Sequence, residues 1–418
     1  MLTADYWIAL QPDADTVIMS LAEIERFNSK IRNKQTNGEE YYGALQNPIL
    51  PLELPAAMPG DSLRSRLERD KNHLYNPVAL YSSSDYYDNR LAIWSNSMKD
   101  ELAAKMNLAV IPRTITRRFG LVVNHTGVRQ YPTSVPGYHN RTSMLDRFQI
   151  TDINIGYPVA VLHESADGDF LFVESPIALG WVPTADVAIA DRWSIRKFAE
   201  SRNFLMGCSD KVPVFGDPEF RNFARYLYMS ETMPLVRKNE KRYVVKMGYR
   251  KPDGYLGVAN GYLKPDADVH QGRMPYTKRT VLTQMFKLLN TPYGWQGQDN
   301  KRDCEGVPRV VFRCAGIETG RAIAMASENR IPVDSKLSDT EKIAKVAAIE
   351  PVITVVSSPD HTALLLGKGR NGKLYFMHQG GWGYDEGDQH YIVNRVSIND
   401  VEHKWFHISQ PNLYTVMK

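Results

Sequence analysis

The sequence predicts an α+β fold in which helical and strand-rich stretches are segregated along the chain. Three observations carry that prediction. Apolar residues recur at helical spacing before residue 110 and again from 273. Between those limits the chain breaks into short β-branched and aromatic runs, separated by Gly, Asp and Pro turns. After residue 350 come three apolar runs of strand length, VITVVSS, HTALLLGK and KLYFMHQ.

The chain is 418 residues long, which implies two to four domains. Its 43% apolar and 23% charged residues are those of a soluble globular protein. A net charge of +4 is small for this length and argues against a nucleic-acid partner, while a mildly basic surface suits a polyanionic wall. The sequence contains no apolar run of 18 residues, so no membrane span is expected. The start, MLTADYWIALQPDAD, carries acids where a secretion signal needs basic residues; either a cytosolic protein or removal of an export signal is compatible with this. Three cysteines, without CxxC spacing or a Cys/His cluster, exclude a disulfide framework and a metal centre, and no cofactor is expected. Cys304 and Cys314 are about 15 Å apart along a helix, too far to bridge, so Cys208 and Cys314 read as buried thiols.

Residues 1–110 form a mainly helical region. Ser20 and Glu23 make a capping box ahead of Ile24, Phe27 and Ile31, Asp61 or Ser62 opens SLRSRLERD, and SMKDELAAKMNLA (97–109) is a third helix. From 111 to 195 the runs RTITRRFGLVV, YPVAVLHES, DFLFVES and GWVPTADVAIA predict a small barrel, and from 196 to 272 a second run repeats the style around the turn Pro252-Asp253-Gly254. Neither contains a convergent acid, base or nucleophile. In 273–418, Val281, Met285 and Leu288 share one helix face, and a further helix is expected at DTEKIAKVAAI.

The chemistry concentrates in residues 291–317, TPYGWQGQDNKRDCEGVPRVVFRCAGI. Val307, Val310, Val311 and Cys314 recur at helical spacing, and Asp303 is a suitable cap, so a helix is expected to begin at Asp303-Cys304. Gly294, Gly297 and Gly306 allow close approach of the backbone. Cys304 then lies at the positive end of a helix dipole, where a thiolate is stabilised. Most free cysteines are small core hydrophobes, but Asp, Glu and Gly crowd this one.

A thiol nucleophile needs a base, and the base needs an orienting group. Gly369-Arg370-Asn371-Gly372 is strong hairpin chemistry. A four-residue loop sets Lys368 opposite Lys373 and Ala363 opposite His378. His361, two residues before Ala363, then shares a face with His378 at about 7 Å on the diagonal. In this reading His361 takes the proton of Cys304 and His378 orients His361, while Leu364 and Leu366 point the other way. His403 and His407, at i and i+4, read as surface residues.

These residues resemble the NlpC family of papain-like cell-wall cysteine peptidases. The motif stands here as Tyr293-Gly294-Trp295-Gln296-Gly297 and Asp303-Cys304-Glu305-Gly306. It is followed by Pro359-Asp360-His361-Thr362-Ala363-Leu364 and by His378 ahead of Trp382-Gly383-Tyr384. Upstream, VRQYPT and FQITDINIGYPVAVLHESADGDFLFVESPIALGWV look like a first bacterial SH3-like domain, PVFGDPEF and GYLKPDAD like a second, and IERFNSKI like an N-terminal stabilising domain. The resemblance implies a papain-like domain at 273–418 behind SH3-like domains at 111–195 and 196–272 and a helical stabilising domain at 1–110.

The activity implied is hydrolysis of the amide between γ-D-glutamate and a diamino acid in peptidoglycan stem peptides. Cys304, His361, His378 and Tyr293 would be catalytic, with Tyr293 and the Cys304 backbone N–H holding the oxyanion. Asp303, Glu305 and Trp295 would contact substrate, and Asp303 serves equally as an amine site or as a plain helix cap. The partner would be a stem peptide or muropeptide, the protein a monomer, and its place the cell envelope or periplasm, or the cytoplasm for a recycling enzyme. Glu305 stands where the family has Ser, Gln296 replaces a loop Gly, and ALGWV lacks a Tyr that helps close the pocket in some relatives. A catalytically weakened wall-binding protein, and a Cys/His acyltransferase or amidase, are the competing readings.

Overall fold

The computed structural model describes residues 1–36, 50–69, 85–143, 145–320, 323–381, 383–403 and 407–418. Helices and strands are segregated as an α+β fold requires. The capping box of Ser20 and Glu23 forms at the start of helix Leu21–Thr36, where the Ser20 amide donates to Glu23 at 2.7 Å. Helix Gly60–Arg69 follows, and then helix Asn96–Lys105, whose cap is Ser95, accepting from the Met98 amide at 3.2 Å.

The N-terminal region divides its packing. Trp7, Ile8, Met19, Ile24 and Phe27 enter the core built by the C-terminal helices and sheet. Met58, Leu63, Leu67, Trp94 and Leu102 enter the core of the first large sheet. The early helices therefore brace two bodies at once.

That first sheet has seven antiparallel strands, spatially ordered Gln149–Ile153, Thr126–Arg129, Leu179–Pro183, Phe170–Glu174, Pro158–Glu164, Arg118–Val122 and Val187–Ile189. Helix Arg192–Ala199 leads to a second seven-stranded sheet. Its order is Phe223–Tyr228, Lys211–Phe215, Leu256–Leu263, Arg242–Arg250, Thr232–Asn239, Phe204–Gly207 and Val269–Gln271. Ile155, from the first body, fills part of the second core.

The C-terminal sheet has six strands, ordered Arg330–Pro332, Leu413–Val416, Thr354–Ser358, His361–Lys368, Leu374–Gly380 and Arg395–Asp400. The outer strands Arg330–Pro332, Arg395–Asp400 and Leu413–Val416 add to the three that the sequence announces. Helix Lys278–Lys287, capped by Thr277, buries Val281 and Met285 beside helix Gly306–Cys314. Helix Asp339–Ala347 starts with a complete capping box of Ser338 and Glu341.

The central hairpin differs from the sequence count in one instructive way. Lys368 pairs with Leu374, not Lys373, because the loop is one residue longer than the Gly369–Gly372 count allows. A bulge between Leu365 and Gly367 then removes the offset, so Ala363 still faces His378. Gly367 takes up the bulge at φ +101°. Leu364 and Leu366 join the core shared with helix Gly306–Cys314, while Ala363 and Leu365 join the cluster on the other side.

Candidate active site

The nucleophile loop winds tightly before its helix. Gln296, Gly297, Asp299 and Asn300 all have positive φ. At Gly297 only glycine fits: φ is +84°, and a Cβ would lie 2.4 Å from the Asp152 side chain of the first sheet. Gly294 is likewise pressed against the Gln298 carbonyl, which a Cβ would approach to 2.4 Å.

The regular helix spans Gly306–Cys314, later than the expected start at Asp303-Cys304. Asp303 still organises that start. Its Oδ1 accepts from the Gly306 amide at 2.7 Å, its Oδ2 from the Gln296 amide at 3.1 Å, and its carbonyl from Val307 at 3.2 Å. Both carboxylate oxygens thus tie the loop to the helix, which is the capping alternative in physical form. Burial pushes the Asp303 carboxyl up, against the pull of the Arg309 guanidinium and the two amides.

The backbone N–H of Thr362, the residue after His361, acts on the Cys304 thiol in the direction that favours its thiolate. Its pKa departs from the sequence expectation. Burial, followed by the charges of Asp303 and Glu305, pushes the thiol well above its ordinary range, and the Thr362 amide offsets only part of this. Desolvation and two adjacent acids thus oppose the helix dipole at this thiol. Glu305 is half-buried at the first turn and contributes as its charge predicts.

His361 opens its strand and is buried, and burial pushes its imidazole down to about 4. Its Nε2 lies 2.7 Å from Nδ1 of His378, with the rings edge to face. His378 is fully buried, and desolvation and its neighbour His361 hold it neutral. Its Nε2 meets Oδ1 of Asn399, on the adjacent strand Arg395–Asp400. Asn399 is absent from the sequence reading. The one signal available was its strand, which lacks the long apolar run of its neighbours.

Tyr293 is buried against the turn that follows His378. A Cβ on Gly381 would reach 2.5 Å from the Tyr293 ring. Burial, then the nearby Asp303 and Cys304, keep the phenol protonated. Trp295 is half-buried and carries the Arg147 guanidinium over its ring at 5.1 Å, so the first sheet's loop stands beside the nucleophile loop. Trp382, in the motif as read from sequence, lies outside the described residues.

A second buried cluster was missed in the sequence. Asp152 of the first sheet accepts from Arg309 of the nucleophile helix at 2.8 Å and lies 2.9 Å from His125. The other His125 nitrogen lies 2.8 Å from Glu231, in the second body. Burial opposes charging of His125, but Glu231 and Asp152 outweigh it and raise its pKa to about 9. Cys208 and Cys314 are buried thiols as expected, pushed up to about 12 and about 11 by burial. His407 is partly exposed and lies 3.0 Å from Ser409, in keeping with a surface role. Among the described residues no His, Cys, Asp and Glu group could hold a metal ion, and no helix is long and apolar enough to cross a membrane.

Residues 141–183 match the SH3 domain of SH3b1 type, within the first sheet. No curated protein matches the chain in sequence. Among solved structures, an NlpC/P60 endopeptidase from Photobacterium damselae subsp. piscicida superposes with a TM-score of 0.73, over 99% of this chain and 96% of that one, at 18% identity. An NlpC/P60 family protein from Bacillus cereus ATCC 10987 matches over 64% of this chain and 82% of that one, at 15% identity and a TM-score of 0.46. The fold of this chain is therefore that of an NlpC/P60 endopeptidase, with an SH3 domain of SH3b1 type in its first sheet.

Proposed function

We propose that the protein is a cysteine endopeptidase acting on peptidoglycan stem peptides, cutting the amide between γ-D-glutamate and a diamino acid. The observation that carries this reading is the His361–His378 pair at 2.7 Å, with the Thr362 amide, one residue from His361, acting on the Cys304 thiol. Nε2 of His361 faces His378, so Nδ1 is the nitrogen that serves the thiol.

The thiol and imidazole rest neutral. As the scissile carbonyl approaches, the thiol proton moves to His361, the sulfur–carbon bond forms, and the carbonyl π pair moves onto oxygen. The Tyr293 phenol and the Cys304 backbone N–H serve that oxyanion. Collapse breaks the carbon–nitrogen bond, and His361 returns its proton to the leaving amine. Water, deprotonated by the same imidazole, then cleaves the thioester. Asp303 acts in this scheme by fixing the loop that presents Tyr293 and Cys304.

Incubation with a tripeptide or tetrapeptide stem, followed by mass spectrometry, tests the proposal. Cleavage at the γ-glutamyl bond, abolished by Cys304→Ala, is the expected result. Intact peptide, under conditions where a related peptidase cuts it, counts against it. The raised thiol beside Glu305 favours one other reading, a wall-binding protein with weak catalysis. That reading requires Cys304→Ala to leave both wall binding and biological activity unchanged.

A further inference from the structure

The reading above requires an imidazole that presents a lone pair to sulfur, not a proton. We infer that Asn399 is the positioning residue that enforces this, by fixing the tautomers of His378 and His361 in series. The inference rests on the proposed thiol chemistry and names the residue that makes the base a base.

Asn399 stands at the end of the relay farthest from the thiol. Asn399 is 8% exposed and faces Phe376 across the edge strand, two residues from His378 on the same side. Its Nδ2 donates to the Asp400 carbonyl at 2.9 Å. A carbonyl can only accept, so flipping the amide would set two acceptors against each other. The orientation is therefore fixed, and Oδ1 faces His378. An amide oxygen can only accept, so His378 must carry its hydrogen on Nε2. Neutral His378 then has its lone pair on Nδ1, which faces Nε2 of His361 at 2.7 Å. His361 must donate there, and its own lone pair falls on Nδ1. Reversing any link turns His361 Nδ1 into a donor, which cannot take the thiol proton.

Burial enforces the sequence. His378 is 1% exposed and His361 is 7% exposed, so neither ring can exchange an unsuitable partner for water. Among the described residues, His361, Asn399 and, at longer range, His403 act on His378. None of these is a carboxylate that would charge the pair.

The test is direct and needs no substrate. In protein labelled with ¹⁵N-histidine, two-bond proton–nitrogen correlations distinguish the tautomers. Both His361 and His378 should show hydrogen on Nε2 and a bare Nδ1. Hydrogen on Nδ1 of either neutral ring in the wild type overturns the inference. Two variants carry the kinetic arm. Asn399→Leu removes the acceptor at similar volume and should lower kcat about 100-fold, within the range of general-base contributions, with KM within about twofold. Asn399→Asp keeps an acceptor but favours a charged His378. It should recover activity at high pH and show an acid limb of kcat/KM displaced upward. Full kcat in Asn399→Leu, or an unshifted limb in Asn399→Asp, overturns the inference. If no stem peptide is cut at all, the function reading fails while the spectra still decide the tautomers.

Discussion

Cys304 should be a slow thiol at rest, and its alkylation rate against pH measures this. An ordinary cysteine near pKa 8.5 is about 3% thiolate at pH 7, and one titrating above about 9 falls below about 1%. Burial, Asp303 and Glu305 place Cys304 in the second class. Iodoacetamide labelling, quenched over time and read by mass spectrometry of the Cys304 peptide, should run at least about threefold slower at pH 7 than for free cysteine. Its rate should rise about tenfold per pH unit to beyond about pH 9. Cys208 and Cys314, pushed up to about 12 and about 11, serve as internal controls that stay unlabelled. Glu305→Ser removes one raising charge and should speed labelling at neutral pH. A fast plateau between about pH 5 and 7 would mean a resting thiolate–imidazolium pair, and would refute the neutral resting state derived from burial.

Other perturbations test the scaffold. Gly381→Ala places a Cβ 2.5 Å from the Tyr293 ring and should lower kcat, with little change in melting temperature, if the phenol serves the oxyanion. Gly297→Ala meets both a φ of +84° and the Asp152 side chain at 2.4 Å, so it should lower the melting temperature and the activity together. Arg309→Met removes the guanidinium from Asp152 but leaves His125 beside it, and should cost about 1.5–3 kcal/mol in denaturant unfolding. His125 rises from 6.5 to about 9 on folding, so its contribution, at most about 3 kcal/mol, is complete below pH 6.5 and lost as pH rises through about 9. Stability measured from about pH 6 to 10 should fall in that window for the wild type, and less in His125→Gln.

Local chemistry made much of this legible in the sequence. The capping residue Ser20 and periodic apolar positions in 278–288 act within one or two turns, and they form where their spacing places them. The His361–His378 face was legible because side chains alternate with period two, and a longer loop was offset by a bulge at Leu366. Strands Thr126–Arg129 and Arg395–Asp400 are short and mixed in character, and only their neighbours make them strands. Asn399 is invisible for the same reason, since its importance arises from the amide orientation that Asp400 imposes. The thiol pKa departs from the sequence expectation because a helix terminus is a local feature, whereas desolvation and neighbouring charges depend on the surrounding fold.

The two β bodies also act on the nucleophile loop. They hold no convergent nucleophile or base, and barrels of this kind bind, position or wall off a site. Yet both nitrogens of His125 face carboxylates at 2.8 and 2.9 Å, and a carboxylate only accepts, so both nitrogens carry hydrogen and the ring is an imidazolium. That charge lets Asp152 remain ionised in the interior while it also holds Arg309, three residues beyond Gly306. Glu231 ties the second body to the same ring, and Arg302, immediately before Asp303, pairs with Asp210 of that body. The nucleophile turn is thus gripped on both flanks by carboxylates that lie outside the C-terminal sheet. A loop with four non-glycine and glycine residues at positive φ between Gln296 and Asn300 would otherwise have many alternatives. These buried charges hold its flanks, which makes the β bodies part of the machinery that places Cys304.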